Sequence, residues 1–157
     1  MSVLLDRLEA QLAETKSAED RAVIAARVAG YMARIGRFDE ATLLVGRLRG
    51  EFSDGRSGRA SAWLMWAEAL VHYYADLSPK ALDRVARSQL LAIALRDSSL
   101  AALASAWKAH MEFETSRFGP MSESIKLALK YMSSDNNSAN TRLSMVVADV
   151  LFLSGDN

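Results

Sequence analysis

Three observations predict an all-α fold of about eight helices. Apolar residues recur at spacings of three and four along the whole chain, and an alternation of period two is nowhere sustained. The 157 residues include only eight glycines and two prolines, which favours long uninterrupted helices over a loop-rich β fold. The apolar pattern is also self-similar, because Ser61-Ala62-Trp63 returns as Ser105-Ala106-Trp107. A chain of this length buries roughly two-thirds of its unfolded surface, so it needs neither a metal nor a disulfide to be stable.

The elements follow in order. Leu4, Leu5, Leu8 and Leu12 share one side of a leading helix spanning about 2–14, with Asp6, Glu9 and Gln11 facing away. Ser17 followed by Ala18, Glu19 and Asp20 has the form of a helix start with acids in the first turn. Val23, Ile24, Val28, Tyr31, Met32 and Ile35 continue that helix until Gly36, whose freedom to turn left-handed closes it. Asp39 is placed to cap the next helix, which buries Ala41, Leu44, Val45 and Leu48 and ends in the loop at 53–58. From about Arg59 to Ala75 a helix carries Trp63, Leu64, Trp66, Leu70, Val71, Tyr73 and Tyr74, apolar over more than one face and therefore sandwiched between neighbours.

Pro79 opens the next helix, which runs through Ala81, Val85 and Leu90 to about Arg96. Asp97 then caps a helix through Leu100, Trp107 and Phe113, closed by Gly119-Pro120. Ser122 and Glu123 open a helix through Ile125 and Met132, and a final helix at about 138–154 carries Leu143, Val146, Val150 and Leu153.

The recurrence from Trp63 to Trp107 has a period of about 44 residues, and the step from Ala41 to Ala81 is about 40. Periods of this size, one helical hairpin each, belong to α-solenoids, in which every hairpin buries its face against the next. With the turn Gly36-Arg37-Phe38-Asp39-Glu40-Ala41, the segment from Ala25 through Val45 resembles a tetratricopeptide repeat, and the later hairpins resemble lengthened, degenerate copies. Two departures stand out: Met32 or Tyr31 occupies the place of an expected aromatic, and the proline that usually closes a repeat is absent. The resemblance implies one domain over 1–157, a right-handed α-solenoid of antiparallel hairpins. After the leading helix come hairpins at about 17–53, 57–96 and 98–134, then an unpaired last helix.

Composition narrows the chemistry. No cysteine is present, which excludes a disulfide scaffold, a thiol nucleophile and a thiolate metal site. Nineteen basic residues balance nineteen acidic ones, leaving no net field to draw in nucleic acid or an anionic membrane. The N-terminal stretch has charges among its leucines and does not look like a secretory signal, and no apolar run reaches the length of a membrane span. A soluble cytoplasmic protein is expected.

His72 and His110 are the only histidines. Glu68 precedes the first by four residues and Glu114 follows the second by four, but two ligands do not complete a metal site. The loop from Gly55 to Arg59 lacks the Lys-Ser/Thr of a phosphate loop and reads as a hairpin linker. Serines are plentiful, yet there is no Gly-x-Ser-x-Gly, and Asp39 and Glu40 suit a helix first turn better than an acid/base pair. No enzyme activity and no cofactor or metal is expected. Eight arginines fall between Arg21 and Arg59, and four acids offset half of them, a local excess suited to an acidic partner or to solvated helix faces.

If the second repeat turns near Asp76, the tetratricopeptide resemblance places Trp63, Trp66, Leu70, Tyr73 and Tyr74 along its concave groove. Trp107, His110, Glu114 and Arg117 follow in register one repeat later. Large aromatics with a few charges suit a protein- or peptide-binding surface. Aromatics at helical spacing also suit inter-hairpin core, and both readings stand at this point. Ala26, Gly30 and Ala33 occupy the equivalent positions of the first repeat, which either leaves the groove open there or lets the leading helix lie across it.

The last helix carries Met145, Val147, Leu151 and Phe152 where a solenoid end usually has a polar cap, and the chain stops at Asp156-Asn157, inside the turn to a further helix. The expectation is either an N-terminal part of a longer polypeptide or a homodimer through this helix, with a natural C-terminus packed inward as the alternative. The function expected is a non-catalytic interaction scaffold in a bacterial signalling or regulatory protein. Its alternatives are a free-standing immunity-type inhibitor of a toxin and a small-molecule sensor.

Overall fold

The computed structural model describes residues 3–52 and 57–155. The expected helix start at Ser2, the loop residues Gly55 and Arg56, and the cap residues Asp156 and Asn157 lie outside them. Among the described residues the regular elements are all helical: α1 (Val3–Glu14), α2 (Ala18–Arg34), α3 (Phe38–Phe52), α4 (Gly58–Val71), α5 (Lys80–Ala94), α6 (Ser98–Glu114), α7 (Phe118–Tyr131) and α8 (Asn137–Ser154). None of these helices is long and apolar enough to cross a membrane. The chain forms two compact units, Met1–Arg87 and Ser88–Asn157, with the boundary inside α5.

Local chemistry sets the helix ends. Ser17 caps α2 by accepting from Asp20 N at 3.4 Å, Ser57 caps α4 through Ala60 N at 3.1 Å, and Asp97 caps α6 through Leu100 N at 3.1 Å. At the other end of α2, Gly36 adopts φ 88° while its N–H reaches Ala33 O and that of Arg37 reaches Met32 O, the paired bonds of a Schellman stop. Left-handed residues also follow α4, α5, α6 and α8, but they are Leu77, Arg96, Ser116 and Gly155. Gly36, Leu77, Ser116 and Gly155 lie about 40 residues apart, with Arg96 between the second and the third. Leu77, Arg96 and Ser116 carry a side chain there, which costs roughly 1–2 kcal/mol at each site.

Several boundaries differ from expectation. α3 begins at Phe38, so Asp39 lies inside the first turn rather than capping it, and Arg37 and Glu40 form an ion pair across the turn. α4 does not continue to Ala75 as α-helix; its last turn widens into a π-helical segment at His72–Asp76. Gly119-Pro120 does not end α6, which already stops at Glu114. It sits in the first turn of α7, where a proline's missing N–H would have no helical partner.

In the first unit, α2 packs against α1, α3 and α4. Leu5 and Leu8 seat α1, and Ala22, Ala25, Ala26, Ala29 and Ala33 keep α2 thin enough for helices to approach on several sides. In the second unit, α6 packs against α7 and α8. Ala101, Ala102, Ala104, Ala106 and Ala109 are all fully buried there, and Met121 and Val146 close one cluster while Ala128 and Leu143 close another.

Candidate functional site

The aromatic set expected to line a groove is mostly core. Trp63 is 4% exposed, Trp66 6%, Leu70 2% and Trp107 3%, so none of them offers a surface to a partner. Glycine explains Trp66. A Cβ at Gly30 would lie 2.6 Å from two atoms of the Trp66 ring, so the indole occupies the space that a side chain on α2 would fill. Trp63 meets that ring edge-on, with centroids 5.8 Å apart. The indole Nε1 of Trp66 is buried with no hydrogen-bond partner among the described residues, a cost accepted for the depth of the wedge. Gly30, expected either to leave the groove open or to admit the leading helix, leaves room for Trp66 instead.

Trp107 is a core residue for a different reason. The guanidinium of Arg142, buried on α8, stacks 3.8 Å from its ring centroid, and His110 meets the ring edge-on. His110 is itself buried, with Nε2 2.8 Å from Glu114 Oε1. Burial holds its pKa below the usual histidine value; Arg142 acts in the same direction, while Glu114 and Asp149 oppose. Glu114 is exposed, and Arg117 is exposed too, but in the turn before α7 rather than on α6. Tyr73 and Tyr74 are half-buried on the π-helical turn, edge to face at 4.8 Å. From the expected set, only the two tyrosines and these two charged side chains reach the surface.

Buried polar groups missed in the sequence join helix to helix. Glu68, 5% exposed, receives Arg49 at 2.5 Å and Arg84 at 3.4 Å, and the contact raises the Arg49 pKa. Gln89 donates to Ser105 at 2.8 Å. Ser124 donates to Glu112 at 2.5 Å, while Lys108 donates to both of them at 3.1 and 3.2 Å. A Lys-Ser-Glu cluster has the components of an activated nucleophile. Here the Ser124 hydroxyl is 1% exposed and already committed to a carboxylate, so the cluster latches α7 onto α6. The four-residue spacing of Lys108 and Glu112 was its only sequence signal. Among the described residues, no three histidine, aspartate or glutamate side chains converge as metal ligands.

A groove in the first unit is open to a partner. It holds a cavity of about 290 Å³ walled by the end of α1, α2 and α3, with Leu12, Ala22, Ala25, Leu44, Leu48 and Phe52 as its apolar lining. Lys16, Arg21 and Arg47 stand at it against one acid, Glu51. Arg21 is occupied in part, donating to the carbonyls of Leu12 and Thr15 at the end of α1 at 2.6 and 3.0 Å. Lys16 and Arg47 are exposed and have no ion-pair partner among the described residues. A neighbouring cavity of about 400 Å³ is lined by Arg27, Arg59, Glu14 and Asp20 among others. Arg59 pairs with Asp20 at 2.9 Å, whereas Arg27 is half-buried and its pKa is lowered by burial.

No protein-family model, curated protein or solved structure matches this chain.

Proposed function

We propose that this chain is a non-catalytic scaffold of α-solenoid type that binds a peptide or protein segment. The groove between α1, α2 and α3 carries the reading, because it combines an apolar lining with two cations, Lys16 and Arg47, that have no ion-pair partner among the described residues. Core residues are excluded from such a role by their burial, and the polar clusters at Glu68 and Glu112 are spent on holding helices together. The solenoid arrangement is supported by the order of packing. α2 meets α3 and α4, α6 meets α7 and α8, and the left-handed stops at Gly36, Leu77, Ser116 and Gly155 fall about 40 residues apart, as in stacked helical hairpins.

A photo-crosslinking side chain introduced at Leu44, exposed to light in cells, tests the reading. A discrete covalent protein adduct is expected, and the absence of any adduct from Leu44 and from a second groove position, Arg47, would refute it.

A homodimer through α8 has its own support. Met145, Val147, Leu151 and Phe152 are exposed, and the helix has only two charged residues, Arg142 and Asp149. A second copy would meet this face without charge repulsion. Light scattering across a concentration series is expected to give twice the monomer mass, falling to the monomer in Phe152→Glu; a monomer at all concentrations rules the dimer out.

A further inference from the structure

We infer that the groove between α1, α2 and α3 takes an acidic amphipathic helix, whose apolar face enters the cavity while its carboxylates meet Lys16 and Arg47. The inference rests on the scaffold reading and names the partner's chemistry.

Size argues for side chains of a larger partner over a free small molecule. About 290 Å³ lies at the low end of the range for small-molecule pockets, yet it holds a few aliphatic side chains presented from outside. Apolar anchors one helical turn apart on a partner are the usual way such a groove between helices is filled.

Charge argues for the sign. Arg49 is used by Glu68, Arg59 by Asp20 and Arg37 by Glu40, so much of the arginine excess in this part of the chain is internally consumed. Of the arginines not spent in this way, Arg21 and Arg47 stand at the groove, where together with Lys16 they face one acid, Glu51, while Arg27 lines the neighbouring cavity. Both rim cations without a partner are solvated in the free protein, so pairing them with carboxylates costs little desolvation and steers encounter over about a Debye length. A basic or neutral helix would gain the same apolar contact and none of this attraction. Glu51, on the α3 wall, adds a repulsive element against basic helices and sharpens the preference.

The test uses fluorescence anisotropy of the full chain with three labelled, end-capped peptides of equal length: a Glu/Leu amphipathic helix, its Lys/Leu counterpart and a Gln/Leu counterpart. The acidic peptide is expected to bind at least tenfold more tightly than the other two and to weaken several-fold as salt rises. The double charge reversal Lys16→Glu with Arg47→Glu, at two exposed positions, is expected to cost about tenfold or more in that affinity with the helical spectrum unchanged. Equal binding of the Lys/Leu peptide, or acidic binding indifferent to the double variant, overturns the inference. Failure of all three peptides to bind also overturns it. A protein adduct formed from the crosslinker at Leu44 in that case leaves the scaffold reading standing with a partner of other chemistry, so the two ideas fail separately.

Discussion

Replacing Gly30 with alanine sets two opposed effects against each other within one helix. Removing a glycine from a helix interior ordinarily stabilises by about 0.5–1 kcal/mol, because the unfolded chain loses freedom. At Gly30 the added methyl would lie 2.6 Å from Cη2 and Cζ3 of Trp66 and 3.3 Å from Leu70. The ring cannot swing aside freely, since Trp63 stands against it. Overpacking of this kind costs roughly 1–3 kcal/mol, so Gly30→Ala is expected to destabilise by about 1–2 kcal/mol net. For a unit of this size that corresponds to a fall of about 5–10 °C in the thermal midpoint. Gly46 on α3 is the control, because a Cβ there meets nothing within 4 Å; Gly46→Ala is expected to raise stability. In a Trp66→Phe background, which removes the clashing ring atoms, Gly30→Ala is expected to become neutral or stabilising, a coupling of about 1–2 kcal/mol. Thermal and urea denaturation of the four-member cycle supply the numbers. If Gly30→Ala stabilises as much as Gly46→Ala, the wedge of Trp66 against α2 is wrong.

Two further perturbations follow from the buried polar groups. At Glu68 the effect is expected to be asymmetric: Glu68→Gln leaves Arg49 and Arg84 to reach solvent and costs about 1–2 kcal/mol, whereas Arg49→Ala with Arg84→Ala strands a buried carboxylate and costs about 3 kcal/mol or more. Urea midpoints in which the arginine pair is the cheaper loss would refute this. His110 is held below its ordinary pKa of 6.5, chiefly by burial. The unfolded chain therefore binds the proton more readily, so this contribution is complete above the unfolded value and is lost as pH falls toward the lowered folded value. His110→Gln is expected to flatten the decline in stability between pH 7.5 and 5.5, and an unchanged slope would remove His110 as its source.

The all-helical class and most helix boundaries were legible in the amino-acid order because they depend on local chemistry. Ser17, Asp97 and Gly36 act on backbone groups within a few residues of themselves, and the apolar spacing places Leu5, Leu8, Val28 and Leu100 inward by geometry alone. Leu77, Arg96 and Ser116 hid their helix stops by taking a backbone conformation where glycine is usual. Gly119-Pro120 misled because the same pair can end one helix or sit in the first turn of another, and only the packing of α7 on α6 selects between them.

The candidate site was not legible in that way. Trp66 and Tyr74 share helical spacing and apolar character, yet one fills the space above Gly30 and the other remains half-exposed. Burial of an amphipathic surface depends on which neighbour arrives, and that neighbour lies 36 residues earlier in the chain. Likewise the arginine excess was evident in the composition, but which cations are spent on Glu68, Asp20 and Glu40 and which are left at the groove is a matter of distance in space. Sequence by itself determined the helices, since those follow from bonds within a few residues. Only the tertiary structure decided which faces are core and which charges remain free to bind, since desolvation and ion pairing depend on contacts that no local pattern encodes.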